Sequence, residues 1–160
     1  MKKILLLAIV AMSSIAFAAA QPRAIGVNLG YGIDLSYQQA IGDANMIDFS
    51  INIPMFNGFG AAATFDWINP FGTAIPWNNQ GEWNWSLGVG AGAGIHGFKQ
   101  SFWYAGVVAH VGVEYNFWFP LQLSIDWRPN IGIEGIGDAF GFYSRGIYMT
   151  GFSLGVRYLF

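Results

Sequence analysis

Trp103-Tyr-Ala-Gly-Val-Val-Ala-His110-Val-Gly-Val-Glu114-Tyr-Asn-Phe117-Trp-Phe119 sorts its side chains by parity. The odd positions, Trp103, Ala105, Val107, Ala109, Val111, Val113, Tyr115, Phe117 and Phe119, are all apolar. The even positions are Tyr104, Gly106, Val108, His110, Gly112, Glu114 and Asn116, where glycine, polar and ionisable groups mix. A period of two is the signature of a β-strand, whose successive side chains point to opposite faces.

The same split recurs on either side. Trp83, Trp85, Leu87, Val89, Ala91, Ala93 and Ile95 oppose Asn84, Ser86, Gly88, Gly90, Gly92, Gly94 and His96. Leu121, Leu123, Ile125 and Trp127 oppose Gln122, Ser124, Asp126 and Arg128. Near the end Tyr148, Thr150, Phe152, Leu154, Val156, Tyr158 and Phe160 oppose Met149, Gly151, Ser153, Gly155 and Arg157. Earlier, Phe59 to Trp67 and Ile47 to Ile53 alternate likewise, with Asp66 and Asp48 on the second face. In all these segments every ionisable side chain falls on the face opposite the apolar one.

Composition sharpens the pattern. The chain has 160 residues, of which 54% are hydrophobic, 18% aromatic and 10% charged, with 22 Gly and no Cys. Soluble domains average about 25% charged residues, so this surface is poor in charge for water. Without Cys there is no disulfide framework, thiolate metal site, Cys nucleophile or lipoprotein anchor.

The first twenty residues read as a secretory signal peptide. Lys2 and Lys3 precede the apolar run Ile4 to Met12, and Ala16-Phe17-Ala18 supplies a small-residue cleavage site. The run is too short to span a bilayer, which needs about 20 apolar residues. Removing residues 1–20 from 160 leaves 140, residues 21–160, expected to form one domain. Its basic residues are Arg23, Lys99, Arg128, Arg145 and Arg157, against nine acidic ones, a net charge of −4. No basic cluster remains, which argues against nucleic acid as a partner.

Strands of this kind suit either a soluble barrel with its apolar face inward or a membrane barrel with that face outward. The glycine-rich second face is a poor surface to show to water but suits a crowded lumen. Trp83, Trp85, Trp103, Trp118, Trp127, Tyr158 and Phe160 cluster near strand ends, where interfacial girdles sit. In lipid every backbone polar group must be paired, so the strands should close into a barrel. The expected fold is therefore all-β: an eight-stranded antiparallel transmembrane β-barrel in up-and-down meander order. The predicted strands are 24–30, 34–40, 45–53, 59–68, 83–96, 103–117, 120–132 and 146–160. A loop at Tyr31-Gly32-Ile33 divides the first two, although the alternation from Ile25 to Tyr37 also allows one long strand.

Ser153-x-Gly155-x-x-Tyr158-x-Phe160 resembles the C-terminal signal by which outer-membrane barrels are recognised for assembly. Ile25 to Gly32 and Pro120 to Pro129 look like segments of small outer-membrane β-barrel proteins with the architecture of OmpX and the OmpA barrel domain. The resemblance covers nearly the whole mature chain. It implies a Gram-negative outer membrane, with outer-membrane lipid around the barrel and periplasmic chaperones and the barrel-assembly machinery as partners during biogenesis. It implies no reaction and no cofactor.

Asp34, Asp48, Asp66, His110, Glu114, Asp126, Arg128 and Arg157 are the candidate lumenal charges. They form either an ion path or a packed network that fills the interior, and an eight-stranded lumen is narrow enough to be filled. His110 and Glu114 lie about 13 Å apart along one strand, so each needs a partner from another strand. His96 also faces inward, and a His with an acid and a Ser could support lipid modification, but no G-x-S-x-G elbow is present. Two His and scattered carboxylates show no metal-ligand spacing. Gly88 to Gly94 is a strand face, since its strict period of two matches no phosphate loop.

Recognition is expected in the outer loops. The longest candidate, Glu134 to Arg145, carries Phe140, Phe142, Tyr143 and Arg145 as candidate contacts, for a ligand the sequence does not identify. Asn69 to Gly81, with Trp77, Asn78 and Asn79, is long for a turn at the other end. The role expected is structural or surface-interacting, without catalysis. A narrow ion or small-solute channel and an outer-membrane lipid-modifying enzyme are the alternatives.

Overall fold

The computed structural model describes residues 22–54, 58–72, 80–97 and 101–160. The alternating segments form ten strands: β1 (Pro22–Leu29), β2 (Gly32–Ile41), β3 (Asn45–Pro54), β4 (Gly58–Pro70), β5 (Gly81–His96), β6 (Phe102–Phe117), β7 (Leu121–Trp127), β8 (Asn130–Ile136), β9 (Ala139–Arg145) and β10 (Phe152–Leu159), while the alternation at Tyr148–Gly151 falls on a 3-10 turn. Each pairs antiparallel with its neighbours, and β1 pairs with β10 to close the sheet. Both β7 and β8 pair with β6, while β10 pairs with β7 and β9 with β8. These are two barrel strands, each interrupted once, so the whole is a closed eight-stranded meander.

Both interruptions have local causes. Pro129 separates β7 from β8 because it has no N–H for the ladder, yet its carbonyl still accepts from Ala109 N–H at 3.0 Å, which keeps the strand on course. Between β9 and β10 lie residues 146–151. There Gly146 takes φ +69°, Met149–Gly151 form a 3-10 turn, and the Trp127 indole donates to the Gly146 carbonyl at 2.9 Å.

Two predicted boundaries are corrected. The strand predicted at 120–132 continues to Ile136, and the one predicted at 146–160 becomes regular only from Phe152. Glu134 to Arg145 is a β8–β9 hairpin, not a long loop, and turns at Gly137 with φ +56°. Glycines beside it make room for Tyr143: Tyr143 and Gly132 are register partners, with Gly106 of β6 next in the row, and a Cβ on Gly106 would lie 2.7 Å from the Tyr143 hydroxyl.

Residues 24–40 form two strands. Their turn spans Gly30–Tyr31–Gly32, one residue earlier than predicted, with Leu29 opposite Ile33. Gly30 and Gly32 are backed by the carbonyls of Phe152 and Ile53, at approaches that leave no room for a Cβ. Residues 1–20, expected from the sequence to be a signal peptide, lie outside the described residues, as do Trp77, Asn78 and Asn79.

Burial is inverted relative to a water-soluble barrel. Asp48, Asp66 and His110 are 0% exposed, whereas Ile125 is 54% and Leu154 60% exposed. The apolar face therefore points outward and the polar face forms the core. Aliphatic side chains such as Leu87, Val89 and Leu154 occupy the middle of the outer face. Trp67, Trp85, Trp118 and Phe160 stand at the end where β1 begins and β10 ends, and Phe59 and Trp103 at the other.

Candidate functional site

Arg157, on β10, is the largest fully buried side chain and organises the interior. Its Nε donates to Ser36 Oγ at 3.0 Å, Nη1 to Gln122 Oε1 at 2.9 Å and Ser124 Oγ at 2.7 Å, and Nη2 to Asn28 Oδ1 at 2.9 Å and Asp126 Oδ2 at 3.0 Å. A guanidinium has five N–H groups, and these acceptors satisfy all of them. Reaching Ser36 means crossing β1, because Arg157 and Ser36 both pair with Gly26. A side chain at 26 would strike the Arg157 stem.

His110 extends the network from β6. Its Nε2 lies 2.9 Å from Asp126 Oδ1 and its Nδ1 2.8 Å from Asp66 Oδ1, while Thr64 donates to Asp66 Oδ2 at 2.9 Å. Both ring nitrogens face carboxylate oxygens, so only the imidazolium donates to both. Asp48, on β3, accepts from Arg128 Nη2 at 2.9 Å and from Gln38 Nε2 at 3.2 Å. Towards the terminal end, Arg23 grips Glu114 with both terminal nitrogens and also reaches Gln38 Oε1.

Seven of the eight sequence-predicted lumenal residues are thus joined in one buried assembly: Asp48, Asp66, His110, Glu114, Asp126, Arg128 and Arg157. With His110 as imidazolium its charge closes, since Arg23, Arg128, Arg157 and His110 balance Asp48, Asp66, Glu114 and Asp126. Desolvated charges are tolerated when paired and hydrogen-bonded in this way. Arg23 was missed because it precedes the first predicted strand, where too few residues establish a period. The neutral partners Asn28, Ser36, Gln38, Thr64, Gln122 and Ser124 carry no charge to single them out, although their inward parity was a usable signal.

Asp34 stands apart, on the side of the interior facing the β1–β2, β3–β4, β5–β6 and β8–β9 turns. It accepts a hydrogen bond from Asn52 Nδ2 and borders a cavity of about 540 Å³ that Arg128 and Asn130 also line. At the rim of this cavity His96, Glu134 and Arg145 meet. Arg145 Nη2 lies 2.5 Å from both His96 Nε2 and Glu134 Oε2, and its guanidinium sits 5.0 Å above the Tyr104 ring and 4.9 Å from that of Tyr143.

The proposed loop contacts divide. Phe140 and Phe142 point outward and are 76% and 91% exposed. Tyr143 is buried and bonded to Asn130 at 2.6 Å, and Arg145 turns toward the rim. Tyr143 is corrected from a surface contact to interior packing, because β9 continues the alternation and places it on the inner face, whereas the Arg145 side chain is 37% exposed at the mouth of the cavity. The proposed assembly-signal residues Tyr158 and Phe160 form an edge-to-face pair on the outer face, with centroids 5.5 Å apart. Ser153 and Gly155 face inward, and a Cβ on Gly155 would lie 2.7 Å from Asn28 Oδ1 and 3.0 Å from Arg157 Nη1.

No protein-family model, curated protein or solved structure matches the chain.

Proposed function

We propose that this chain is a small integral outer-membrane β-barrel protein with a side-chain-filled lumen, acting as a structural or surface-interacting element and not as a transporter or enzyme. The observation that carries the reading is the inverted barrel: an apolar outer face with aromatic side chains at both ends, around a buried network of paired charges. Lipid is the solvent such a face suits, and a closed barrel is the strand arrangement that leaves no edge in it. The signal-like leader and the terminal Ser153 to Phe160 motif support export and assembly in an outer membrane.

A filled lumen favours the structural reading over the channel. Arg157 is bonded to β1, β2 and β7 at once, His110 bridges β4 and β7, and Arg23 ties β1 to β6. An ion crossing this section has to displace paired charges, each several kcal/mol more costly when left unpaired. Contact with the surroundings then falls to the turn-bearing end, where Phe140 and Phe142 are bare.

Planar-bilayer recording of the refolded protein tests this. Silence from protein shown to be folded is the expected result. Steady, reproducible ion-sized conductance overturns the filled lumen and makes the lumenal charges a pathway.

A further inference from the structure

Among the described residues, every buried or half-buried carboxylate but one is answered by a cation: Asp48 by Arg128, Asp66 and Asp126 by His110, Asp126 also by Arg157, Glu114 by Arg23, and Glu134 by Arg145. The exception is Asp34. No described cation comes within ion-pairing distance of it, and Arg128, in the same cavity wall, directs both terminal nitrogens at Asp48.

Asp34 and Asn52 are register partners on β2 and β3, and the one hydrogen bond between them runs from Asn52 Nδ2 to Asp34 Oδ1. That leaves Asp34 Oδ2 and Asn52 Oδ1 as adjacent acceptors with no donor from the described residues. Both residues line the cavity of about 540 Å³, within the range of small-ligand sites. Tyr31, Tyr104 and Tyr148 line it too. The Tyr104 ring already carries one cation, Arg145, at 5.0 Å, which leaves the Tyr31 and Tyr148 rings as the aromatic faces open to a ligand.

We infer that this cavity is a binding site for a small organic cation with a primary ammonium head. The ammonium donates to Asp34 Oδ2 and Asn52 Oδ1, and its carbon body lies against Tyr31 and Tyr148. A primary ammonium has three N–H donors and no acceptor, which matches two orphan acceptors and one negative charge without an ion-pair partner among the described residues. A neutral ligand leaves the charge unanswered, and an anion meets the Asp34 carboxylate. The inference needs the barrel and its cavity but not the membrane assignment, so the two fail separately.

The test is calorimetric titration of the folded protein in detergent micelles with n-butylammonium, with butan-1-ol as an uncharged probe of matching length. Saturable binding of the amine, no binding of the alcohol, and an affinity about tenfold or more weaker in Asp34→Asn are expected, as for loss of a charge-assisted hydrogen bond. Asp34→Glu should retain part of the affinity. Near-ultraviolet circular dichroism of each sample establishes folding, and if Asp34→Asn does not fold, the amine-against-alcohol comparison on the unaltered protein decides. Absence of saturable amine binding, equal affinity for amine and alcohol, or unchanged affinity in folded Asp34→Asn each overturns the site.

Discussion

His110 and Asp66 are joined across an intervening strand: Nδ1 lies 2.8 Å from Oδ1, though one residue is on β6 and the other on β4. The residue between them in the row is Gly88, which pairs with Asp66 on one side and His110 on the other. A Cβ at 88 would occupy the position of the Asp66 carboxylate and also lie 2.8 Å from the Phe65 carbonyl. The glycine face of β5 is therefore what lets charges on non-adjacent strands meet.

Gly88→Ala is accordingly expected to destabilise the barrel by about 1–3 kcal/mol or more, the cost of forcing a methyl into a packed and hydrogen-bonded site. Gly92→Ala is the control. Its added Cβ meets the Ala62 methyl and a Val108 methyl, both at 3.1 Å, and no ion pair. Urea unfolding of the two variants in one lipid or detergent system should rank Gly88→Ala well below Gly92→Ala. Equal midpoints for the two would remove the structural role given to Gly88.

Arg157 supplies the second comparison. Truncation to Ala leaves Asp126 without its guanidinium and strands Asn28, Ser36, Gln122 and Ser124 in the core, a loss of about 3–5 kcal/mol for a broken buried pair. Arg157→Lys keeps the charge but offers three donors in place of five, so it should fall between. Arg145→Ala removes a pair whose side chains are 37% and 30% exposed, and about 1 kcal/mol or less is expected there. Thermal and denaturant midpoints of the three variants check the order, and a mild Arg157→Ala would mean that the interior relaxes around the lost charge.

How much of this was legible follows from which residues carried a signal. Arg157, Asp126, His110 and Asp66 announced their common face because strict alternation surrounded them. Their partners did not follow from the sequence, since strand register depends on turn geometry that local parity does not contain. Glu134 to Arg145 was misread for a different reason: Gly135, Gly137 and Gly141 resemble loop composition, whereas only Gly137 has the positive φ of a turn. Asp34 carried the same inward parity as Asp48, and only the assembled barrel separates the paired acid from the unpaired one.

The C-terminal motif mixes two roles that a choice of residue can pull apart. Gly155 faces the Arg157 guanidinium, so its substitution disturbs both packing and any assembly signal. The Phe160 side chain is 66% exposed on the outside, and the residue meets the network only through its backbone N–H, which donates to the Arg23 carbonyl at 3.1 Å and is kept in any substitution except proline. Phe160→Ala should cost the refolded protein only about 0.5–1.5 kcal/mol, the loss of its edge-to-face contact with Tyr158, while lowering the amount of folded barrel recovered from cell envelopes by more than that loss explains. Equal recovery of the two proteins would count against a recognition role for the terminal aromatic residue.

Val89 offers the sharpest test of what surrounds the barrel. It lies near the middle of β5, is 49% exposed on the outer face, and pairs with Phe65 on β4 and Ala109 on β6. An exposed Val→Arg change in water usually shifts stability by no more than about 0.5 kcal/mol. The same change near a bilayer midplane costs about 2–4 kcal/mol, because the guanidinium must be held in hydrocarbon or drag water to it. Folding free energies of Val89→Arg in lipid vesicles should therefore show the larger loss, and an arginine placed at Phe140, on the overhanging β9 and 76% exposed, the smaller. If Val89→Arg is as benign as Phe140→Arg, the apolar face is covered by something other than lipid, and the membrane assignment falls while the barrel stands.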